Sequence, residues 1–545
     1  MSTLCIAVAQ FDFLVGGIET NAKKIIDAIK KARELKVDLL VFPELALCGY
    51  PPEDLLLRKD FKQQINEALK IIQAHSSDIS ILLGHPHYTE QGVYNSASLI
   101  ENKKIVATYH KQCLPNYGVF DERRYFIPGD SSGLITVKGI SIGILICEDL
   151  WHPQPILEAK KAGATLIICI NASPFDLSKA QERIKALEIN IKETKLPILY
   201  VHSISGQDHL VFDGGSQAFN ADATLCAQAG FFEEKLWIVE LKKQPEPTFI
   251  SQKLLPDPLI EESIYKALVL GVRDYINKNH FPGILLGLSG GIDSALVLAI
   301  AVDALGEDRV HAVSLPSRYT SDLSKKIASD LTAKLNVKLT TLSIEASFSA
   351  CLTTLGLDPQ QPPSGIITEN IQARCRAILL MALSNQTGNL LLNASNKSEL
   401  AVGYSTLYGD MAGGFAVLKD VPKTMVYKLA DYRNTLSPIF TKSLLDRKPT
   451  AELAENQYDE NTLPPYSKLD VILQLYVEQD KSLEDIVTAG FERETVEKII
   501  NLVNKNEYKR RQIAVGPRTT LRAFDRERRY PITSGFVINK RVTAN

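Results

Sequence analysis

No apolar run in the chain approaches the ~18 residues that a membrane-spanning helix needs. Cys-x-x-Cys is also absent. The eight cysteines are scattered, which indicates neither a zinc site nor a disulfide scaffold. A reduced, cytoplasmic protein is the expectation. Charge of one sign is lacking too: the net charge is -2, so nothing global draws the chain to nucleic acid or to a membrane surface. The opening MSTLCIAVAQ has no basic n-region and reads as a first strand, not as a signal peptide. Internal repeats and low-complexity segments are missing. What is present, 45% hydrophobic and 23% charged residues over 545 positions, is the composition of a soluble globular protein with two or three domains.

A polar stretch with four prolines at positions 245, 247, 256 and 258 cannot continue a helix or a central strand. It places a linker at 244–258, between a domain over 1–243 and another over 259–545. Before it, apolar strands at 5–11, 38–42, 79–84, 140–146, 165–170 and 197–201 alternate with amphipathic helices. One such helix, 19–35, sets Ala22, Ile25, Ile26, Ile29 and Ala32 on one face. After the linker, strands at 283–288, 310–315, 338–343 and 389–393 alternate with helical patterns. That order predicts a parallel sheet with helices on both faces and ligands at the carboxyl ends of its strands. Residues 467–509 read as mostly helical.

The strand at 283–288 runs into LSGGIDSA at 288–295. Glycines there let the backbone approach an anion, and the amides that open the next helix point at it. No Gly-Lys-Ser/Thr follows, so this is not a Walker A loop. It resembles the PP-loop of ATP pyrophosphatases. That resemblance assigns Gly287, Leu288, Ser289, Gly290, Gly291, Ile292, Asp293 and Ser294 to ATP.

Three residues of the first half each follow a predicted strand: Glu44, Lys111 and Cys147. A catalytic thiol needs a base and a nearby cation, and strand-end placement would bring the three to one mouth of the sheet. Singly, each also has a plain structural reading: core cysteine, surface lysine, capping carboxylate. Cys5 and Cys169 inside apolar strands, and Cys375 in a helix, are read as structural.

Together, FPELALCGY (42–50), HKQCLPN (110–116) and ICEDLW (146–151) resemble the nitrilase, or carbon–nitrogen hydrolase, superfamily. LPNYGVFDE (114–122) and NASPF (171–175) narrow this to the glutaminase domain of glutamine-dependent NAD synthetases. The resemblance implies an α/β protein: an α-β-β-α nitrilase-like sandwich followed by a Rossmann-like parallel α/β PP-loop domain. It gives Glu44, Lys111 and Cys147 the catalytic roles, and it assigns Tyr117, Glu122, Ser173 and Lys179 to glutamine, with Glu122 orienting the Lys111–Cys147 pair. HSISG at 202–206 departs from the family pattern, which more often has an Asn and paired glycines there.

In the second half, TENIQAR (368–374), LLNASNKSE (391–399) and YSTLYGD (404–410) match the same family's synthetase domain. The resemblance assigns Ala394 to ATP, although Ala394 and Ser395 replace the usual Thr-Gly. It assigns Asn370, Arg374, Glu399, Asp410 and Lys509 to deamido-NAD, and Asp293 and Glu399 to magnesium. Asn370 and Arg374 share one helical face, with Ile371, Ile378, Leu379 and Ala382 expected to pack. The basic run at 508–532 reads as a solvated face. The implied partners are deamido-NAD, ATP, Mg²⁺, glutamine and further copies of the chain, associating through the second domain. The implied reaction is ATP-dependent amidation of deamido-NAD with glutamine as donor, and ammonia must travel between two sites. Two rival readings are another PP-loop amidotransferase acting on a different acid, and a nucleotide-binding protein without catalysis.

Overall fold

A computed structural model describes residues 3–454 and 457–536. The chain divides into two compact units, residues 1–257 and 258–545.

The central strands of the first unit are buried on both faces, which is why they read as unbroken apolar runs. Seven strands form one sheet, in the order Thr248–Phe249, Lys235–Lys242, Thr3–Gln10, Leu39–Val41, Ser80–Tyr88, Val93–Glu101, Lys104–His110. Six form another: Leu225–Gln228, Gln217–Phe219, Ile198–His202, Leu166–Asn171, Ile140–Ile146, Gly133–Val137. Leu4, Ile6 and Val8 pack with Ile142, Ile144 and Ile168 between the two sheets. The alternate residues Ala7, Leu40 and Ile81 pack outward with Ile25, Ile29 and Ile65 of helices Ile18–Glu34 and Lys59–Ala74. On the far side, Ile156 and Leu187 of helices Pro153–Lys161 and Lys179–Thr194 cover Leu145 and Ile167. Four layers result, α-β-β-α, each buried aliphatic side chain contributing roughly 1.5–3 kcal/mol. Part of the proline-bearing stretch belongs to this unit, since Thr248–Phe249 pairs with the strand Lys235–Lys242.

The second unit holds a five-stranded, wholly parallel sheet in the order Lys338–Thr341, Val310–Ser314, Ile284–Gly287, Leu390–Asn393, Phe415–Ala416. The first of these in sequence lies in the middle, and the chain winds outward from it in both directions. A topological switch point therefore falls at the end of Ile284–Gly287, where ligands enter such folds. Helices Ile260–Lys278, Ile292–Leu305 and Lys423–Leu436 cover one face. Glu345–Thr354 and Ile366–Thr387 cover the other. Helices within residues 466–510 build a separate small core around Leu469, Ile486 and Ile499.

Two expectations need correction. Ile378 and Ala382 do not pack: both are exposed on helix Ile366–Thr387, whose inner face is taken by Gln372, Ala373, Cys375 and Ala377. The basic run is not a solvated face either. Arg510, Arg518 and Arg528 are buried and paired with Glu507, Glu527 and Glu507, with Phe524 beneath Arg510 and Arg528. Alternating acids in the sequence supply those partners. No helix among the described residues is long and apolar enough to cross a membrane.

Candidate active sites

In the first unit the two facing sheets bring their strand ends to a shared mouth. Glu44 follows Leu39–Val41, Lys111 follows Lys104–His110, and Cys147 opens the 3-10 turn Cys147–Trp151 after Ile140–Ile146. The first two leave one sheet and the third leaves the other, so the site is shared between sheets and not confined to one. Cys147 holds a left-handed backbone conformation, φ 45°, uncommon away from glycine and frequent where a nucleophile must project. Gly84 admits the Glu44 loop, since a Cβ there would lie 2.4 Å from Pro43 O.

Lys111 Nζ donates to Glu44 Oε1 and to Glu122 Oε1, each at 2.8 Å, with its side chain fully buried. Glu44 also accepts from Asn95 Nδ2 at 2.7 Å and from Ala172 N at 2.9 Å. Tyr50 OH donates to Glu122 Oε1 at 2.8 Å. Burial alone would depress the Lys111 ammonium, yet Glu122 and Glu44 hold it well above its usual range. Burial pushes the Glu122 carboxyl up to about 7, against the pull of Lys111. Burial, then the charge of Glu44, drives the Cys147 thiol well above its ordinary value, with Lys111 opposing. The surroundings thus favour the Cys147 thiol over its thiolate and set it near the Glu44 carboxylate and the Lys111 ammonium, an arrangement suited to proton removal concerted with attack.

Asp149 joins the two loops. Its Oδ1 accepts from Gln112 N and Cys113 N at 3.0 and 2.8 Å, and its Oδ2 from Ile146 N and Tyr109 OH at 3.0 and 2.8 Å. Asp149 and Tyr50 lie inside the segments 146–151 and 42–50, whose spacing did not reveal these roles; Asn95 carried no signal. Tyr117 OH donates to Glu148 at 3.0 Å. Lys179 pairs with Glu182 and lies 5.0 Å over the Trp151 ring. Ser173 is buried and bonded to Arg183 and His202.

In the second unit a cavity of about 320 Å³ opens at the switch point. Gly287, Leu288, Ser289, Gly291, Ile292, Asp293, Ser294, Ala394 and Ser395 line it. Gly290 turns the loop at φ 82°, where a Cβ would lie 2.6 Å from Ser324 O. Gly291 caps the helix Ile292–Leu305 with no side-chain bond, leaving its first amides for an anion. Asp293 and Glu399 converge on Lys423, with Glu399 Oε1 at 3.4 Å from its Nζ. Burial raises the Glu399 carboxyl to about 8, against the pull of Lys423. Two acids sharing one cation beside a phosphate loop fit Mg²⁺, which takes one or two carboxylates and fills the rest with phosphate and water. Among the described residues no group of three or more acid, His or Cys side chains that could hold a metal ion occurs.

The residues assigned to deamido-NAD gather around the loop 403–410. Thr406 Oγ1 donates to Asn370 at 2.8 Å, Arg374 Nε donates to Leu407 O at 3.2 Å, and Thr406 N donates to Asp410 at 2.5 Å. Lys509 Nζ donates to Gly403 O and Ser405 O at 2.8 and 2.7 Å. Burial lifts the Asp410 carboxyl to about 6. Arg376, Lys423 and Arg447 also line the cavity and were not singled out. Lys423 meets Asp293 across 130 positions, a pairing that no local pattern announces.

An α-β-β-α unit with Glu44, Lys111 and Cys147 at its strand ends, on one chain with a parallel α/β unit that carries a glycine-rich loop at its switch point, is the combination of a glutamine-using ligase. Residues 5–245 match the carbon-nitrogen hydrolase family, and 264–513 match NAD synthase. The chain is 47% identical to the glutamine-dependent NAD(+) synthetase of Xanthomonas campestris, over 98% of each chain. It is 44% identical to that of Acinetobacter baylyi, over 98% and 99%. The solved glutamine-dependent NAD+ synthetase of Acinetobacter baumannii in complex with ADP superposes with TM-score 0.79 at 42% identity, covering 99% and 100%. The chain belongs to the glutamine-dependent NAD(+) synthetase family.

Proposed function

We propose that the protein amidates deamido-NAD to NAD, using ATP and ammonia released from glutamine. In the first unit Cys147 Sγ attacks the carboxamide carbon of glutamine while Glu44 takes the thiol proton. Lys111 balances the charge that develops on the carboxamide oxygen. Collapse breaks the carbon–nitrogen bond, and Glu44 returns the proton to the departing ammonia. Water activated by Glu44 then cleaves the thioester to glutamate. Tyr117, Glu122, Ser173 and Lys179 hold the substrate or the catalytic pair.

In the second unit the nicotinate carboxylate of deamido-NAD attacks the α-phosphorus of ATP and pyrophosphate leaves. Ammonia then attacks the acyl carbon of the adenylate, expelling AMP and giving NAD. The loop 287–294 and Ala394 seat ATP, and Asn370, Arg374, Glu399, Asp410 and Lys509 seat deamido-NAD. Mg²⁺, held by Asp293 and Glu399, would neutralise phosphate charge as pyrophosphate departs.

The observation that carries this reading is the coexistence of a buried Glu44–Lys111–Glu122 centre and a PP-loop cavity on one chain. Ile367, Ile378 and Met381, 58%, 65% and 41% exposed on one helix, support self-association through the second unit. All eight cysteines are free thiols, which supports a reduced, cytoplasmic setting. The test is product analysis with glutamine, ATP and Mg²⁺ against deamido-NAD and competing acids. NAD, AMP and pyrophosphate in equal amounts are expected; turnover of another acid in preference to deamido-NAD would overturn the reading.

A further inference from the structure

Besides Arg376, the cations lining the cavity of the second unit are Lys423, Arg447 and Lys448. Each of these has an acid of its own. Lys423 pairs with Asp293 and Glu399, Arg447 with Glu452, and Lys448 with Glu460. Arg376 makes no ion pair among the described residues.

Its contacts are neutral instead. Nε donates to Leu315 O at 3.1 Å and Nη2 to Ser317 Oγ at 3.4 Å. Nη1 has no protein acceptor among the described residues, although a guanidinium can donate from every nitrogen. The acids around it are committed elsewhere. Glu452 accepts from Arg447 and Ser324, Glu345 from Arg318, and Asp410 from Thr406 N. Burial pulls the guanidinium below its usual range, and the pull of Glu452, Asp410 and Glu345 offsets only part of this. A cation withdrawn from water without a partner is costly, and groups perturbed in this way gather at functional sites.

Placement narrows what could complete the site. Leu315 and Ser317 follow the strand Val310–Ser314, which pairs with Ile284–Gly287. One turn along the helix from Arg376, Leu380 closes over the end of that second strand: a Cβ on Gly287 would lie 3.1 Å from its Cδ1. Arg376 therefore faces the start of the glycine-rich loop, whereas Arg374 turns to the loop 403–410. The amides of that loop and helix offer an anion only partial charges. Bringing a carboxylate up to a triphosphate sets two anions against each other, and a full charge is needed between them.

We propose that Arg376 binds an anionic oxygen in this cavity, either a phosphate of ATP or the carboxylate that attacks it. This rests on the reading of the second unit as the synthetase.

The test is calorimetric binding on the full chain, with each charged ligand set against a counterpart that lacks the charge. ATP is compared with adenosine, which has no phosphates, and deamido-NAD with NAD, which has no carboxylate. The variants are Arg376→Met, Arg376→Gln and Arg376→Lys. Losing one hydrogen bond to a charged group should weaken the ligand concerned about tenfold to a hundredfold, with its counterpart unchanged. A loss for ATP assigns the phosphates, and a loss for deamido-NAD assigns the carboxylate. Arg376→Lys should recover part of it. Arg376→Gln can still donate to Leu315 O and so reports even if Arg376→Met fails to fold. Unchanged affinity for both charged ligands, or equal losses within each pair, would overturn the proposal. If the unaltered protein bound neither ATP nor deamido-NAD, the synthetase reading would fall instead, and this proposal with it.

Discussion

To act as the proposed nucleophile, Cys147 must react in surroundings that suppress its ionisation. Burial and the nearby Glu44 raise its thiol far above the usual 9.0, and Lys111 offsets only part of this. Thiolate content therefore keeps growing, about tenfold per pH unit, through the neutral and mildly alkaline range. Alkylation of Cys147 by iodoacetamide, followed by mass spectrometry of its peptide, should accelerate from pH 7 to about pH 9 without levelling. A plateau below pH 7 would mean a pre-formed thiolate and a different division of roles with Lys111. The strand-end placement of Glu44, Lys111 and Cys147, the residues proposed as catalytic, was legible in the sequence because each follows a strand in a recognisable segment. Glu122 was legible only by resemblance. Tyr50 and Asn95, which bond Glu122 and Glu44, were not, since their partners lie 72 and 51 positions away.

Turns and loops decide whether these residues meet. Asp149 receives four hydrogen bonds that tie the turn after Lys111 to the turn after Cys147. Asp149→Ala would strand those buried donors at about 1–3 kcal/mol each. It should abolish glutamine hydrolysis and lower the melting temperature of the first unit, as read by calorimetry. In the second unit Gly290 has a conformation and a clearance that no side chain fits. Gly290→Ala should store roughly 1–3 kcal/mol of strain and cut kcat/KM for ATP about tenfold to a hundredfold, with glutamine or with ammonium. An unchanged value would place the phosphates elsewhere. The parallel sheet was legible from alternating strands and helices. The strand before Lys111 was legible too; its antiparallel neighbour Val93–Glu101 was not, because the buried polar residues Asn95, Ser96 and Ser98 interrupt its apolar signal.

At the scale of the whole molecule, the α/β class and both units could be read from pattern and resemblance. The exposed stripe on helix Ile366–Thr387 could not: helical periodicity marks an apolar face without saying what covers it. Ile378→Lys should shift sedimentation toward smaller species if that stripe joins copies of the chain, and leave it unchanged if it does not. Division of labour between the units is the central claim, and one measurement addresses it. NAD formation from deamido-NAD, ATP and Mg²⁺ is followed with glutamine and with ammonium, in the unaltered protein and in Cys147→Ala. The account predicts that Cys147→Ala loses synthesis from glutamine and retains synthesis from ammonium. Undiminished synthesis from glutamine in Cys147→Ala would contradict it.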